Sequence, residues 1–184
     1  LQVTSHFAAR RTGSGVSDNY WSAVRAADAF SDRYSSRAVL FTNLVWDSAV
    51  IGQDLAFPSI VDWIVAAVEH FATSPDNELV IRVHPAEVKL SGRESRELMA
   101  DALRLRSPSL PPNVVVIPPD DPISSYELME QADFGLVYSS TTGLEMALLG
   151  KPVLVAAQTH YRGKGFTIDV TDRVGFGEAI DAQC

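Results

Sequence analysis

Short, unbroken apolar runs alternate along this chain with stretches in which apolar residues recur every three or four positions. The runs are "AVLFTNL" (38–44), "ELVIRV" (78–83), "NVVVI" (113–117), "DFGLVY" (133–138) and "KPVLVA" (151–156), with a shorter one at "FTIDV". Continuous β-branched runs of this kind predict strands covered on both faces. Helical patterns lie between them. "NYWSAVRAADAFSDRY" gathers Trp21, Val24, Ala27 or Asp28, and Phe30 near one face and predicts a helix at about 19–32. In "PSIVDWIVAAVEHFATS" a core-facing stripe runs through Ile60, Ile64, Val68 and Phe71, with Ser59 as cap and Asp62 in the first turn. "GRESRELMADALRLR" (92–106) turns Leu98, Ala102 and Leu105 inward behind a charged face. "SSYELMEQ" (124–131) is a short helix. Residues 142–149 form another, ended by Gly150, and a last one starts near 172. Residues 1–17 are polar and contain Gly and Ser; they read as a tail or linker ahead of one domain at 18–184.

Alternation of strand and helix predicts an α/β fold, a doubly wound parallel sheet of the Rossmann-like kind. Ligands of such sheets bind beyond the carboxyl ends of the strands. The loops at those ends hold the unusual residues: Asn43 and Asp47, His84, Asp120 and Asp121, the run Ser139-Ser140-Thr141-Thr142, and His160 to Lys164.

The four hydroxyls stand directly before a predicted helix. A helix start exposes unpaired N–H groups and partial positive charge, so Ser139, Ser140, Thr141 and Thr142 could cradle a phosphate, with Gly143 allowing close approach. Thr142 and Glu145 also fit a capping box, in which the glutamate reaches back to the cap. His84 follows a strand, and Pro85 fixes its turn; an imidazole there can donate to a phosphate or act as an acid. Arg82, two residues earlier, projects to the same face in a regular strand and is a possible anion contact, or pairs with an acidic residue. In "HYRGKG" (160–165), Arg162 and Lys164 are further possible anion contacts on a turn whose glycines permit unusual backbone angles, or parts of a solvated turn. "PPDDPISS" is a stiff connector, capped by Ser124 or Asp121, that could also present backbone groups to a nucleobase. His70 falls on the polar side of its helix.

Composition narrows the classes. The 184 residues are 46% hydrophobic and 21% charged, ordinary for a globular domain with a real core. No apolar run approaches the length that spans a bilayer, and the start has no signal-peptide core. The chain begins without Met and stops soon after a helical pattern, so it reads as a piece of a longer protein. One cysteine excludes an internal disulfide framework and a Cys-rich zinc site, and the scattered histidines have no metal-ligand spacing. A net charge of −8 argues against general nucleic-acid binding. No Walker loop, G-x-S-x-G elbow or G-x-G-x-x-G after the first strand is present.

"RVHPAE", followed about 55 residues later by "YSSTTGLEMALLGKPVLV" and then "HYRGKGFT", resembles the C-terminal half of bacterial capsule polysaccharide biosynthesis proteins. These are GT-B-like glycosyltransferases that include the Kdo transferases of capsule assembly. The resemblance implies one half of a GT-B architecture and a donor-nucleotide-binding domain using a CMP-sugar such as CMP-Kdo. It implies His84 and Ser139 to Thr142 on the nucleotide's phosphate and, by looser analogy, Glu145 on a ribose hydroxyl. It further implies a nucleotide-sugar as substrate rather than a cofactor, a glycan or glycolipid acceptor, and an N-terminal domain of the parent protein as partner. The expected place is the cytoplasm, with peripheral attachment of the parent to the inner face of the membrane. No residue here reads as the catalytic carboxylate. A UDP-sugar transferase, a sugar-nucleotide epimerase domain and a non-catalytic module of a polysaccharide assembly or export complex remain alternatives.

Overall fold

The computed structural model describes residues 29–44, 50–89 and 98–184. The expected tail, most of the helix at about 19–32, Asp47 and the first half of the 92–106 helix lie outside these residues. Six strands form one sheet: β1 (Ser36–Phe41), β2 (Asn77–Arg82), β3 (Val114–Ile117), β4 (Phe134–Val137), β5 (Val153–Val155) and β6 (Ile168–Asp169). Their order is β3-β2-β1-β4-β5-β6, and every neighbouring pair is parallel. This is the doubly wound order whose direction reverses between β1 and β4.

The helices are α1 (Ile60–Ala72), α2 (Ala86–Lys89), α3 (Met99–Arg106), α4 (Ser125–Gln131), α5 (Thr142–Leu148) and α6 (Arg173–Asp181). Side chains alternate across a strand, so β1 sends Ala38 and Leu40 into one core and Val39 and Phe41 into the other. The first core holds α1, α3 and α6 residues such as Trp63, Phe71, Leu103 and Phe176. The second holds Met129 of α4 and Met146 of α5. Burial on both faces is why the strands read as continuous apolar runs rather than alternating ones.

Local signals explain the ends. Ser59 Oγ accepts from Asp62 N at 3.1 Å and caps α1. Gly150 follows α5 at φ 76° and Lys151 N bonds to Met146 O at 3.2 Å, the left-handed helix ending that favours glycine. Gly135 on β4 lets α5 close in, since a Cβ there would lie 2.2 Å from Met146 Sδ. The short helix α2 has no counterpart in the sequence pattern; its four residues are too few to show a period.

Candidate functional site

Register aligns the carboxyl ends of the central strands. Phe41 pairs with both Arg82 and Val137, so the chain leaves β1, β2 and β4 at one level. Two bonds then tie the outgoing loops to the end of β1. His84 N donates to Thr42 Oγ1 at 3.0 Å, and Ser139 N reaches Asn43 Oδ1 at 3.5 Å. Thr42 and Asn43 are both buried. The structure therefore brings the His84 turn and the start of the hydroxyl run to consecutive residues of β1, at the point where the sheet reverses.

The His84 ring has a defined orientation. Its Nδ1 accepts from Ala86 N at 3.1 Å, which in the neutral ring leaves the proton on Nε2. The same turn opens α2, with Glu87 N donating to His84 O at 3.0 Å. The imidazole is half-buried.

The hydroxyl run differs from the expected capping box. Thr141, not Thr142, holds the cap position, with φ −66° and ψ −15°, and no side chain caps the helix there. Ser140 satisfies the first turn instead. Its Oγ accepts from Thr142 N at 3.2 Å and from Thr142 Oγ1 at 2.8 Å, and its carbonyl accepts from Gly143 N at 3.2 Å. The helix-start amides offered for a phosphate thus already have acceptors within the loop. Thr141 is exposed, Thr142 half-exposed, and Glu145 buried on the first turn of α5. Ser139 is 8% exposed, and its Oγ has no hydrogen-bond partner.

The three candidate cations separate. Arg82 is buried, and its guanidinium donates to Pro118 O and, at 3.1 Å, to Asp121 O. Burial pulls it below the ordinary arginine range, opposed by Asp121 and Asp120. Arg162 donates to Val155 O at 2.9 Å, Ala157 O at 3.4 Å and Val170 O at 2.5 Å. Both arginines stitch backbone carbonyls with their terminal nitrogens. A carbonyl-rich loop edge needs donors, and the residue type alone does not say which acceptors it finds. Lys164 is exposed between Gly163 and Gly165, both at positive φ. Asp121 Oδ1 accepts from Ile123 N at 2.9 Å, and Ser124 forms no side-chain cap, so the loop after β3 is a pinned connector.

Gly143 also has a use the sequence did not indicate. A Cβ there would stand 2.5 Å from the Tyr161 hydroxyl and 3.0 Å from Val137 Cγ2. The space faces a tyrosine of the following loop, not an open ligand site.

Beside Ser139 lies a cavity of about 360 Å³ lined by Gln53, Ser139, Gln158, Thr159 and His160. Sequence reasoning missed both glutamines, which sit outside any motif. Next to Gln53, Asp54 accepts from the buried Tyr138 hydroxyl at 2.5 Å; burial first, and then this carboxylate, push that phenol up. Among the described residues no three His, Cys, Asp or Glu side chains group to hold a metal ion, and no helix is long and apolar enough to cross a membrane.

Known proteins can be set beside this geometry. The family whose pattern matches residues 6–174 is described as capsule polysaccharide biosynthesis protein. A search of curated protein sequences finds no match. Among solved structures the chain is similar to two Kdo transferases of Thermosulfurimonas dismutans. With KpsC, beta Kdo 2,4 transferase, it shares 23% identity over 84% of this chain and 40% of that one, at a TM-score of 0.51. With KpsC, beta Kdo 2,7 transferase, it shares 20% identity over 78% of this chain and 40% of that one, at 0.52. With the glycotransferase of kitacinnamycin it shares 19% identity over 92% of this chain and 38% of that one, at 0.50. The likeness is one of fold, a Rossmann-like α/β one, and the chain spans about two-fifths of those proteins' length.

Proposed function

The chain belongs to the capsule polysaccharide biosynthesis protein family, and from that premise we propose that it is the donor-nucleotide-binding domain of a glycosyltransferase that builds surface polysaccharide. The donor is a nucleotide-activated sugar, and the acceptor a glycan or glycolipid. The finer reading is a CMP-sugar such as CMP-Kdo.

One observation carries the proposal: the His84 turn and the Ser139 loop converge on Thr42 and Asn43 at the reversal point of the sheet. Departure of the sugar leaves negative charge on the nucleotide phosphate. Donors fixed in advance stabilise such charge best, because they need not reorganise as it develops. Under this proposal the donors that meet it are His84 Nε2–H, the Ser139 hydroxyl and the exposed Thr141. This division of labour needs no metal ion. The remaining three-fifths of a protein of the compared length would supply the second domain and the catalytic carboxylate.

Titration of the chain with CMP and UDP, followed by calorimetry and by NMR, tests the proposal. Binding that shifts the His84 imidazole and the amides of 139–143 is expected, with CMP the tighter of the two. If neither nucleotide moves those signals, the proposal is wrong; if UDP binds and CMP does not, the CMP-sugar reading falls and the domain reading stays.

A further inference from the structure

The hollow beside Ser139 differs chemically from a phosphate site. Ala56 N donates to Ala156 O at 3.2 Å and Gln158 N to Gln53 O at 2.8 Å, so the segment after β1 is stitched across the end of β5. That stitching brings Gln53 and Gln158 to one cavity with Ser139, Thr159 and His160. The lining is two primary amides, two hydroxyls and an imidazole. Among the described residues the lining holds no carboxylate, ammonium or guanidinium: Arg162 is turned onto the carbonyls of Val155, Ala157 and Val170, and Lys164 is outside it. These residues give a phosphate or carboxylate no permanent countercharge. For a nucleobase they offer one ring, that of His160, which already meets Tyr161 edge-on at 5.2 Å.

Sugar hydroxyls suit this lining. Each one donates and accepts, as a primary amide does through its two ends. Ser139 is part of the lining, and its hydroxyl is buried without a partner. The volume, about 360 Å³, lies in the range of small-molecule pockets.

We propose that this cavity takes the hydroxylated, uncharged face of the donor's sugar, with Gln53 and Gln158 as its specificity-determining side chains. The inference rests on the donor-domain reading. It assigns the phosphate to the His84 side of Ser139 and the sugar to the Gln158 side.

The test uses the 184-residue chain with four probes: CMP, CMP-N-acetylneuraminate, UDP and UDP-glucose. Gln53→Ala and Gln158→Ala are compared with the parent sequence by calorimetry. Both side chains are at least partly exposed, so the variants keep the fold. The expected result is a split. Affinity for the nucleotide-sugar falls about three- to tenfold, the worth of one neutral hydrogen bond or slightly more, while affinity for the matching bare nucleotide is unchanged. Two outcomes overturn the inference and leave the donor reading standing: the variants bind nucleotide-sugar as the parent does, or they lose nucleotide and nucleotide-sugar alike. A parent chain that binds none of the four probes removes the donor reading, and the inference with it.

Discussion

The Tyr161 hydroxyl donates to the carbonyl of Ser140 at 2.6 Å, and so fastens the loop after β5 to the hydroxyl run that opens α5. Burial pushes this phenol well above its ordinary value. The same oxygen fills the space over Gly143. The absence of a side chain at 143 therefore serves the joint between two loops at one edge of the candidate site.

Gly143→Ala is expected to destabilise the protein by about 1–3 kcal/mol, because a methyl group in a filled space forces its neighbours aside. Better helix propensity, about 1 kcal/mol, offsets part of this. In a Tyr161→Phe background the contact at 2.5 Å is gone and the nearest tyrosine atom is Cζ at 3.2 Å. The cost of Gly143→Ala should then shrink, giving a coupling that a double-mutant cycle in urea reads directly. Equal costs in both backgrounds would show that Tyr161 is not what the glycine accommodates.

Ser139 and Ser140 are adjacent and chemically identical, yet their alanine variants should behave differently. Ser140 Oγ accepts two bonds that finish the first turn of α5, so Ser140→Ala is expected to cost about 1 kcal/mol, the worth of a cap. Ser139 Oγ is buried with no partner, and removing it should leave stability within about 0.5 kcal/mol of the parent or raise it. Nucleotide affinity should nonetheless fall in Ser139→Ala. A denaturation midpoint for each variant and one titration decide the matter; a Ser139→Ala protein that loses stability but not affinity contradicts the assignment.

Strand identity was legible because burial on both faces writes itself as unbroken β-branched runs. Observed β1, β2, β3, β4 and β5 fall within or beside the five expected segments. The parallel, doubly wound sheet followed from alternation, and with it the one-edge placement of the loops; the strand order did not. The chemistry at the edge was less legible. Capping boxes are read from spacing, and Thr142 with Glu145 has the right spacing, but the helix starts in Thr141 and Ser140 supplies the oxygen. Arg82 and Arg162 show the same limit: a sequence reports a cation, while its acceptors come from carbonyls at other strand ends, 36 and 8 residues away in the cases of Pro118 and Val170. Gln53 and Gln158 meet only through the stitching of two loops far apart in sequence.

Arg162→Ala should be costly because its guanidinium holds backbone carbonyls together. Three carbonyls, those of Val155, Ala157 and Val170, lose a charged donor at once. A loss of about 2–4 kcal/mol is expected, and Arg162→Lys should recover only part of it, since an ammonium lacks the planar fork that spans separate acceptors. Urea unfolding checks this. If Arg162→Ala keeps full stability but loses nucleotide affinity, the residue is a ligand contact after all.

Glu87, the last residue of "RVHPAE", gives the fold a pH dependence near neutrality. It is 1% exposed, and its two carboxyl oxygens lie 3.4 and 3.3 Å from Met99 N, at the start of a helix whose own cap residue, Leu98, offers no side-chain acceptor. Burial pushes the carboxyl up to about 7, the Met99 amide pulls it down, and Asp101 adds a further upward push. The unfolded chain releases the same proton near pH 4.3. Between those values the native state holds a proton that the unfolded state has lost, so stability falls as pH rises through the window and levels off above it. The fall attributable to this group is at most about 4 kcal/mol. Glu78, also raised by burial, adds a slope of the same sign, whereas Asp62 and Asp172 are lowered and act only at more acid pH. Glu87→Gln keeps an acceptor for Met99 N without a charge to bury. It should flatten most of the decline between pH 4.5 and 7 and exceed the parent in stability at pH 8. Urea midpoints for both proteins at half-unit steps across that range measure the difference, and parallel curves would mean that Glu87 is ionised at no unusual pH.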